Sequence, residues 1–355
     1  METRKSMAKA FAAMAAAAAL AGADAHAAAE YRIVTANEKG TYFAIGNDLA
    51  KFVAPDADIA LEVLPTAGSA ANIKHLRYDP GVKFAIVQAD VYQAFVDRAQ
   101  ANNAEAATII RPLRVILPLY NTEIHFIVRA DSPINYLHEI KDAKINGGIV
   151  GSGAALITHT LYRQMFGGPL PESQASFLSN EEALVKLIGD KSVDVVTVAA
   201  GQPAPLISNM KPEAQKYIKL LKFDPDHPAS KKSLEVYAAA RIQAKSYPHL
   251  IKDDFTTVGV GAYLVTYDFN LGGTVSHLSK FARSLCANFP TLQEKGHPKW
   301  KEVGLELAKL PPGWSYYGPT ARELRNCAAR AKAGTPVRAP GKACSGEEKI
   351  LGFCS

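Results

Sequence analysis

The stretch that decides the fold begins Tyr31-Arg-Ile-Val-Thr-Ala-Asn-Glu-Lys-Gly-Thr-Tyr42, where an apolar strand breaks into a small polar turn and an amphipathic helix follows. The same order recurs when Ile59-Ala-Leu-Glu-Val-Leu64 breaks into Pro65-Thr-Ala-Gly-Ser-Ala-Ala-Asn72 and a second helix follows. A third apolar run, Phe84-Ala-Ile-Val87, ends directly in Gln88-Ala-Asp90. This alternation predicts an α/β unit of parallel strands, whose turns meet at the carboxyl edge of the sheet, where ligands bind.

The turn before the first helix supplies the first candidate ligand contacts, Gly40, Thr41 and Tyr42. Free N–H groups at helix starts favour an anionic ligand such as a carboxylate. The Thr41 hydroxyl is suited either to capping the helix or to bonding a ligand. Capping explains the threonine but not the neighbouring tyrosine, so both interpretations stay open.

The second and third turns add further polar candidates. Capping the second helix needs one hydroxyl, yet this turn offers Thr66 and Ser69, with Asn72 one helical turn further on. This surplus of hydrogen-bonding groups favours ligand contact. Gln88 and Asp90 follow the third strand at once, which is the ligand-binding position in an open α/β sheet.

A second unit with the same strand–turn–helix order is predicted over about 130–255. After a loop rich in Ala and Asn, two β-rich runs at 113–120 and 124–128 carry the chain out of the first unit. The turn Gly147-Gly-Ile-Val-Gly-Ser-Gly153 then precedes a helix. It lacks both the Lys-Ser/Thr of a P-loop and the G-x-G-x-x-G spacing, so we interpret it as an anion-receiving turn with Ser152 as a donor.

The rest of the chain completes a hinged layout. A β-rich run at 257–265 returns the chain to the first unit, and helices are predicted at about 274–289, 298–309 and 320–332. Two α/β lobes joined by two crossovers indicate a two-lobed α/β fold with a hinge. The predicted bounds are a signal peptide at 1–27, lobe I at 28–127 and 256–333, lobe II at 128–255 and an extension at 334–355.

The N-terminus has the pattern of a secretory signal. Arg4, Lys5 and Lys9 precede a short apolar run at 10–21, and small residues around Ala27 are typical of a cleavage site. The run is too short for a membrane span, which needs about 20 residues. A periplasmic protein cleaved near Ala27 is therefore expected.

The cysteines Cys286, Cys327, Cys344 and Cys354 are disulfide candidates, because an exported chain with an even cysteine count permits disulfides. Cys286 and Cys327 fall in helical patterns and are placed to join two C-terminal helices, while the other two bracket a short terminal loop. Three pairings are possible, and the sequence does not choose between them. Metal binding is disfavoured, because Cys-x-x-Cys spacing is missing from the sequence.

The composition and motifs argue against several other functions. The net charge is +6, and the basic residues are scattered without interleaved aromatics, so nucleic-acid binding is not expected. Ser152 stands in Gly-Ser-Gly rather than in the G-x-S-x-G elbow of a hydrolase, and the nine His are dispersed. We therefore expect neither an enzyme nor a metal site nor a cofactor.

Five short motifs, in this order and at this spacing, resemble those of the TAXI-type solute-binding subunits of tripartite ATP-independent periplasmic (TRAP) transporters. They are Gly-Thr-Tyr-x-x-x-Gly at 40–46, Pro-Thr-x-Gly-Ser-x-x-Asn at 65–72, Val-Gln-Ala-Asp at 87–90, Val-Gly-Ser-Gly at 150–153 and Ala-Gly-Gln-Pro at 200–203. The resemblance implies a type II periplasmic-binding-protein fold that captures small anions, often dicarboxylates or amino acids, for a membrane permease. The contacts that it implies are Thr41, Tyr42, Ser69, Asn72 and Gln88 from lobe I and Ser152 and Gly153 from lobe II, and Gln202 of the last motif is a further candidate.

The predicted function is capture of a small anionic solute, a carboxylate or amino acid, in an interlobe cleft by a monomeric protein that delivers it to TRAP membrane subunits. The chain departs from the family at Ala154, where a Thr is usual, and at Pro311-Pro-Gly-Trp314, which replaces a His-Pro-Gly-Ala segment. Together with the cysteine-bearing tail, these departures leave two alternatives open. One is an exported sensory or interaction protein of the same fold, and the other is an ABC-type solute receptor.

Overall fold

The computed structural model describes residues 28–332, with side chains described as far as residue 329. The predicted signal peptide and C-terminal extension, with Cys344 and Cys354, lie outside these residues. Among the described helices, none combines the length and the apolar character of a membrane span.

Helices alternate with strands along most of the described chain. The α-helices are α1 Thr41–Phe52, α2 Ser69–Tyr78, α3 Ala89–Gln100, α4 Ala104–Ile110, α5 Gly153–Phe166, α6 Asn180–Ile188, α7 Pro205–Ser208, α8 Pro212–Gln215, α9 Pro228–Lys231, α10 Gly272–Lys295 and α11 Gly318–Lys332. The strands are β1 Ala29–Val34, β2 Ile59–Leu64, β3 Val82–Gln88, β4 Leu113–Arg129, β5 Ile145–Asn146, β6 Ala175–Ser176, β7 Val195–Ala199, β8 Ile218–Leu220, β9 Ala238–Ile242 and β10 Phe255–Tyr267. Short 3₁₀ helices occupy Pro55–Ala57, Leu137–Glu139, Glu172–Gln174, Lys232–Glu235, Ala244–Ser246 and Pro298–Glu302.

Lobe I is built on β1, β2 and β3. Strand β1 lies between the other two and runs parallel to both. Residues Phe84 to Val87 of β3 are all fully buried, as expected for a parallel strand covered on both faces. Helices α1, α2 and α3 each follow one of these strands, so the three turns of the opening motif lie at one edge of the sheet. This confirms the predicted parallel arrangement.

Lobe II repeats the plan on a smaller scale. Strand β5 lies between β6 and β7 and is parallel to both. Helix α5 follows β5, and helix α6 follows β6. The turns before these helices therefore lie at the carboxyl edge of the second parallel group.

Two long strands connect the lobes. Strand β4 has 17 residues and β10 has 13, and residues 113–123 of β4 pair antiparallel with residues 259–267 of β10. The second half of β4 pairs with β7 and β8, while β10 pairs with β9 in its first half and with β3 in its second. The fold is therefore the predicted two-lobed α/β architecture with a hinge of crossing strands. The residue bounds of the two lobes stay a prediction.

Three sequence expectations about local structure were wrong. The runs at 113–120 and 124–128 form one strand, because the polar residues between them pair with Gly259 to Gly261 of β10. The expected Ala- and Asn-rich loop contains α4, whose start is capped by the side chain of Asn103. The helix expected at 298–309 is only the 3₁₀ helix Pro298–Glu302, and irregular chain follows it.

A disulfide joins Cys286 on α10 to Cys327 on α11. The two Cα atoms lie 6.2 Å apart, within the usual span of a disulfide. The bond therefore links the two long C-terminal helices. This pairing is one of the three that the sequence left open.

Candidate functional site

A cavity of about 150 Å³ lies between the lobes, at the carboxyl edges of both parallel strand groups. An engineered apolar cavity of about this size holds benzene, so the space suits a small solute. Lobe I contributes Ala36, Asn37, Lys39, Gly40, Thr41, Tyr42, Thr66, Ala67, Gly68, Ser69 and Gln88, and lobe II contributes Gly148, Ile149, Ser152, Gly153, Ala154, Ser179, Asn180, Glu181, Val198, Ala199, Ala200, Ala204, Pro205 and Leu206.

Four helices of nine residues or more begin at the cavity wall. The first residues of α1, α2, α5 and α6 line the cavity, namely Thr41, Ser69, Gly153 and Asn180. The N–H groups of a helix's first turn have no partner within the helix, and the helix dipole places positive potential at that end. Because α6 carries acidic residues in its first turn and the other three helices do not, the starts of α1, α2 and α5 are the ones that favour a negatively charged group in the cavity.

Two buried polar groups at the cavity have no hydrogen-bond partner among the described residues. They are the Tyr42 hydroxyl and the side-chain oxygen of Gln88, and these residues are 7% and 3% exposed. Burial raises the pKa of the Tyr42 hydroxyl well above its ordinary value, so it stays a neutral donor, although the hydroxyls of Thr122 and Ser69 lie close enough to oppose this shift. Buried polar groups are nearly always paired, by protein, water or ligand. Unlike the other unpaired buried atoms of the described residues, these two belong to residues that line the cavity, where a bound molecule can pair with them.

The lobes contact one another around the cavity. The Thr41 hydroxyl donates to the carbonyl of Gly201 at 3.2 Å. The Thr41 hydroxyl does not cap α1, because Gly40 stands at the N-cap position and no side chain caps this helix. Its hydroxyl proton is used by Gly201, so a ligand could bond only to the hydroxyl oxygen. Gly68 has a φ of +125°, and a Cβ there would lie 3.3 Å from the Ser152 Cα, so a glycine suits both its conformation and the close approach of lobe II.

Gly153 makes the tightest of these approaches. A Cβ at this position would overlap the side-chain oxygen of Gln88, which comes from the other lobe. The first residue of α5 must therefore lack a side chain if the lobes are to close in this way. The preceding Ser152 caps α5 by accepting a hydrogen bond of 3.1 Å from the Ala155 N–H.

The cavity brings together eight of the ten predicted ligand contacts. They are Gly40, Thr41, Tyr42, Thr66, Ser69, Gln88, Ser152 and Gly153. Within this set Thr66 and Ser69 also hold the local structure, since Thr66 donates to Asn72 and Ser69 accepts from the Gln88 N–H.

Asn72 and Gln202 do not line the cavity. The Asn72 amide is fully buried and donates to the carbonyls of Thr35 and Ile86, tying the ends of β1 and β3 together. The Gln202 amide donates to Glu123 and to the carbonyl of Arg241, below the cavity. Both side chains are thus occupied by the protein itself.

A buried ionic cluster beside Gln202 was not predicted from the sequence. Lys299, fully buried, places its ammonium 2.6 Å from a Glu123 carboxylate oxygen and 2.7 Å from one of Glu302. It also donates to the carbonyl of Asn121. We call Asn121, Glu123, Gln202, Lys299 and Glu302 the Lys299 network. The available signal was Glu123, the single acidic residue of β4.

Two further contacts cross between the lobes. The Tyr237 hydroxyl donates to the Asp90 carboxylate at 3.0 Å, and burial raises the pKa of Asp90 to about 6. At the cavity mouth, Lys39 of lobe I and Glu181 of lobe II form an ion pair at 3.2 Å. Neither Lys39 nor Glu181 was predicted, because their pairing spans two separate turns of the chain. Within residues 28–332, no cluster of His, Cys, Asp and Glu is arranged to hold a metal.

The sequence pattern of the NMT1-like family matches residues 33–310, which is most of the chain. The chain belongs to the NMT1-like family. No curated protein sequence matches this chain significantly. The narrower resemblance to TAXI-type TRAP subunits stays a prediction.

Several solved structures are similar to this NMT1-like chain at low identity. The periplasmic binding protein BugD is 15% identical, with 86% of this chain and 97% of that chain covered and a TM-score of 0.49. XAC2383 from Xanthomonas citri, bound to ATP, is 13% identical, with coverage of 85% and 97% and a TM-score of 0.45. The substrate-binding protein of an amino acid ABC transporter is 13% identical, with coverage of 76% and 99% and a TM-score of 0.46.

Proposed function

We propose that this protein is an exported solute-binding protein that closes its two lobes over one small anion. The observation that carries the proposal is the cavity itself, at which the starts of α1, α2 and α5 meet the Tyr42 hydroxyl. The unpaired oxygen of Gln88 is an acceptor and suits a donor on the ligand, such as the amino group of an amino acid. Closure removes the ligand from water, and hydrogen bonds to a charged group are then worth about 1.5–3 kcal/mol each. A carboxylate or an amino acid supplies the acceptors that helix starts and the Tyr42 hydroxyl lack.

We further propose that the hinge divides the chain into lobe I at 28–127 and 256–333 and lobe II at 128–255. The lobe I contacts would be Gly40, Thr41, Tyr42, Thr66, Ser69 and Gln88, and the lobe II contacts would be Ser152 and Gly153. Opening at the crossing strands β4 and β10 would admit solute, and closing would bury it. The occupied amides of Asn72 and Gln202 support a role beneath the site rather than at the ligand.

Delivery to a TRAP-type membrane permease, with the protein acting as a periplasmic monomer, completes the proposal. It rests on the family resemblance of five motifs, from 40–46 to 200–203. Co-purification with membrane subunits encoded beside the gene would test it, and an adjacent ATPase gene would favour an ABC-type receptor instead.

A thermal-shift screen tests the binding role. The chain after Ala27, stripped of ligand by unfolding and refolding, is melted with small carboxylates, amino acids and neutral solutes of the same size. A ligand that binds only the folded state raises the melting temperature. At a ligand concentration of 100 Kd the free energy of unfolding increases by about 2.7 kcal/mol. We expect carboxylates to raise it and their amides to do so less. If none of these solutes changes the melting temperature, the proposal is wrong.

A further inference from the structure

We infer that the cavity selects singly charged carboxylates over dicarboxylates, and that Glu181 is the residue that makes this choice. The inference rests on the proposed function, because it concerns the ligand of the same site. It follows from the charges around the cavity, the nature of its walls and the ion pair at its mouth.

The side chains around the cavity carry no net charge. Among the described residues that line it, the charged ones are Lys39 and Glu181. They pair with each other at 3.2 Å across the mouth, one from each lobe. Because each neutralises the other, a ligand inside the cavity meets no uncompensated cationic side chain.

The positive potential inside comes from the backbone. Each helix N-terminus carries the equivalent of roughly half an elementary charge. The starts of α1, α2 and α5 supply this potential, while the start of α6, which also lines the cavity, carries Glu181 and Glu182 in its first turn, and these acids offset its own positive end. The remaining wall includes the apolar residues Ile149, Val198 and Leu206, and its polar side chains, such as Asn37 and Asn180, are neutral, so a second carboxylate would meet no free positive charge there. Burying a charge without a partner is costly.

Glu181 prevents Lys39 from supplying that partner. A second carboxylate at the mouth would have to displace Glu181 from Lys39 or lie beside it, and two carboxylates at one place repel each other. A singly charged ligand leaves the ion pair intact. The closed mouth is therefore compatible with one ligand charge and is opposed by two.

Succinate and succinamate provide a matched pair of probes. They have nearly the same shape, but succinamate replaces one carboxylate with a neutral amide. In calorimetric titrations of the chain after Ala27 at pH 7.5, we expect succinamate to bind at least tenfold more tightly than succinate. Butyrate, which has one charge and an apolar end, should also bind more tightly than succinate.

The variant Glu181→Gln assigns the selection to one residue. It frees Lys39 for the second carboxylate, so the preference for succinamate should fall below threefold, chiefly through tighter succinate binding. The control Glu172→Gln removes the same charge from an exposed 3₁₀ helix away from the cavity and should keep the tenfold preference. Melting temperatures of both variants report whether they fold.

Each result decides the question. Succinate binding as tightly as succinamate to the unaltered protein would overturn the inference, and an undiminished preference in Glu181→Gln would overturn the role of Glu181. If all three acids fail to bind while another small anion or amino acid raises the melting temperature, the inference is wrong and the proposed function stands. If no small anion or amino acid binds, the proposed function itself fails.

Discussion

Two buried polar regions lie side by side between the lobes, and they differ in how completely their groups are paired. In the Lys299 network, the ammonium reaches two carboxylates and a carbonyl, and Gln202 bonds to Glu123. At the cavity, Tyr42 and Gln88 each leave a buried atom without a partner among the described residues. Burial alone therefore does not mark a functional site. A saturated network holds structure, while an unsaturated group at the cavity wall can pair with a ligand. Other unsaturated groups, such as those of Ser230 and Ser233, do not line the cavity.

Lys299→Met tests the saturated side of this comparison and should have the largest effect. It leaves Glu123 buried without its cation, and breaking a buried ion pair from one side costs about 3–5 kcal/mol. Denaturant unfolding measures the loss in the free energy of unfolding. Lys301→Met, at an exposed position of the same 3₁₀ helix, should change it by less than about 0.5 kcal/mol. If Lys299→Met lowers the free energy of unfolding no more than Lys301→Met does, the Lys299 network contributes little to stability.

Asp90 lies between the two extremes, because its carboxylate is paired with Tyr237 and the Val91 N–H but is deeply buried. Its pKa, raised by burial to about 6, exceeds that of an aspartate in the unfolded chain. Between the two pKa values the folded state holds a proton that the unfolded state has lost. This residue's contribution to stability is therefore full below about pH 4 and is lost as the pH rises through 6.

Asp90→Asn should remove this pH dependence, since the amide does not titrate. Relative to the unaltered protein, the variant should gain on the order of 3 kcal/mol of stability between pH 4 and pH 7. Denaturant unfolding at both pH values measures the difference. Asp97→Asn, an exposed change on the same helix, supplies the control. Parallel pH profiles for Asp90→Asn and the unaltered protein would contradict the prediction.

Tyr42→Phe tests the unsaturated side. Removing a hydroxyl that lies near Thr122 and Ser69 but forms no well-aligned hydrogen bond should change the free energy of unfolding little. It should weaken ligand binding by about 1–3 kcal/mol, because the ligand loses a buried donor. The control is Tyr267→Phe, because the Tyr267 hydroxyl donates to the carbonyl of Ile109 at 2.7 Å. This variant should lower the free energy of unfolding and leave ligand affinity unchanged. If both variants behave alike, pairing does not distinguish the two kinds of buried hydroxyl.

The sequence predicted the parts of the site that depend on local order. Polar turns after apolar strands gave the parallel arrangement and eight of the cavity residues, because the edge of a parallel sheet gathers the ends of its strands. It did not separate Asn72 from Ser69, since which of two polar side chains faces inward depends on helix rotation. Lys299, Glu123 and Glu181 were missed because the pairs Lys299–Glu123 and Lys39–Glu181 join residues that are distant in sequence, and nothing local distinguishes these residues from solvated charges.

Ser152→Ala has the smallest expected effect and tests a residue that belongs to both sides of the comparison. Its hydroxyl accepts from the Ala155 N–H as the cap of α5, and the same residue lines the cavity. A serine hydroxyl can accept one bond and donate another, so capping does not preclude a ligand contact. The variant should lose about 1 kcal/mol of stability, the usual value of a cap, and ligand affinity should weaken by about as much.

Asn103→Ala separates the two roles of Ser152. Asn103 caps α4 by accepting from the Ala106 N–H at 2.8 Å and does not line the cavity. It should therefore lower stability by a similar amount without changing affinity. Paired titration calorimetry and melting of the two variants measure both quantities. An unchanged affinity in Ser152→Ala would mean that the hydroxyl is fully used by its cap, and lobe II would then contact the ligand only through the backbone at the start of α5.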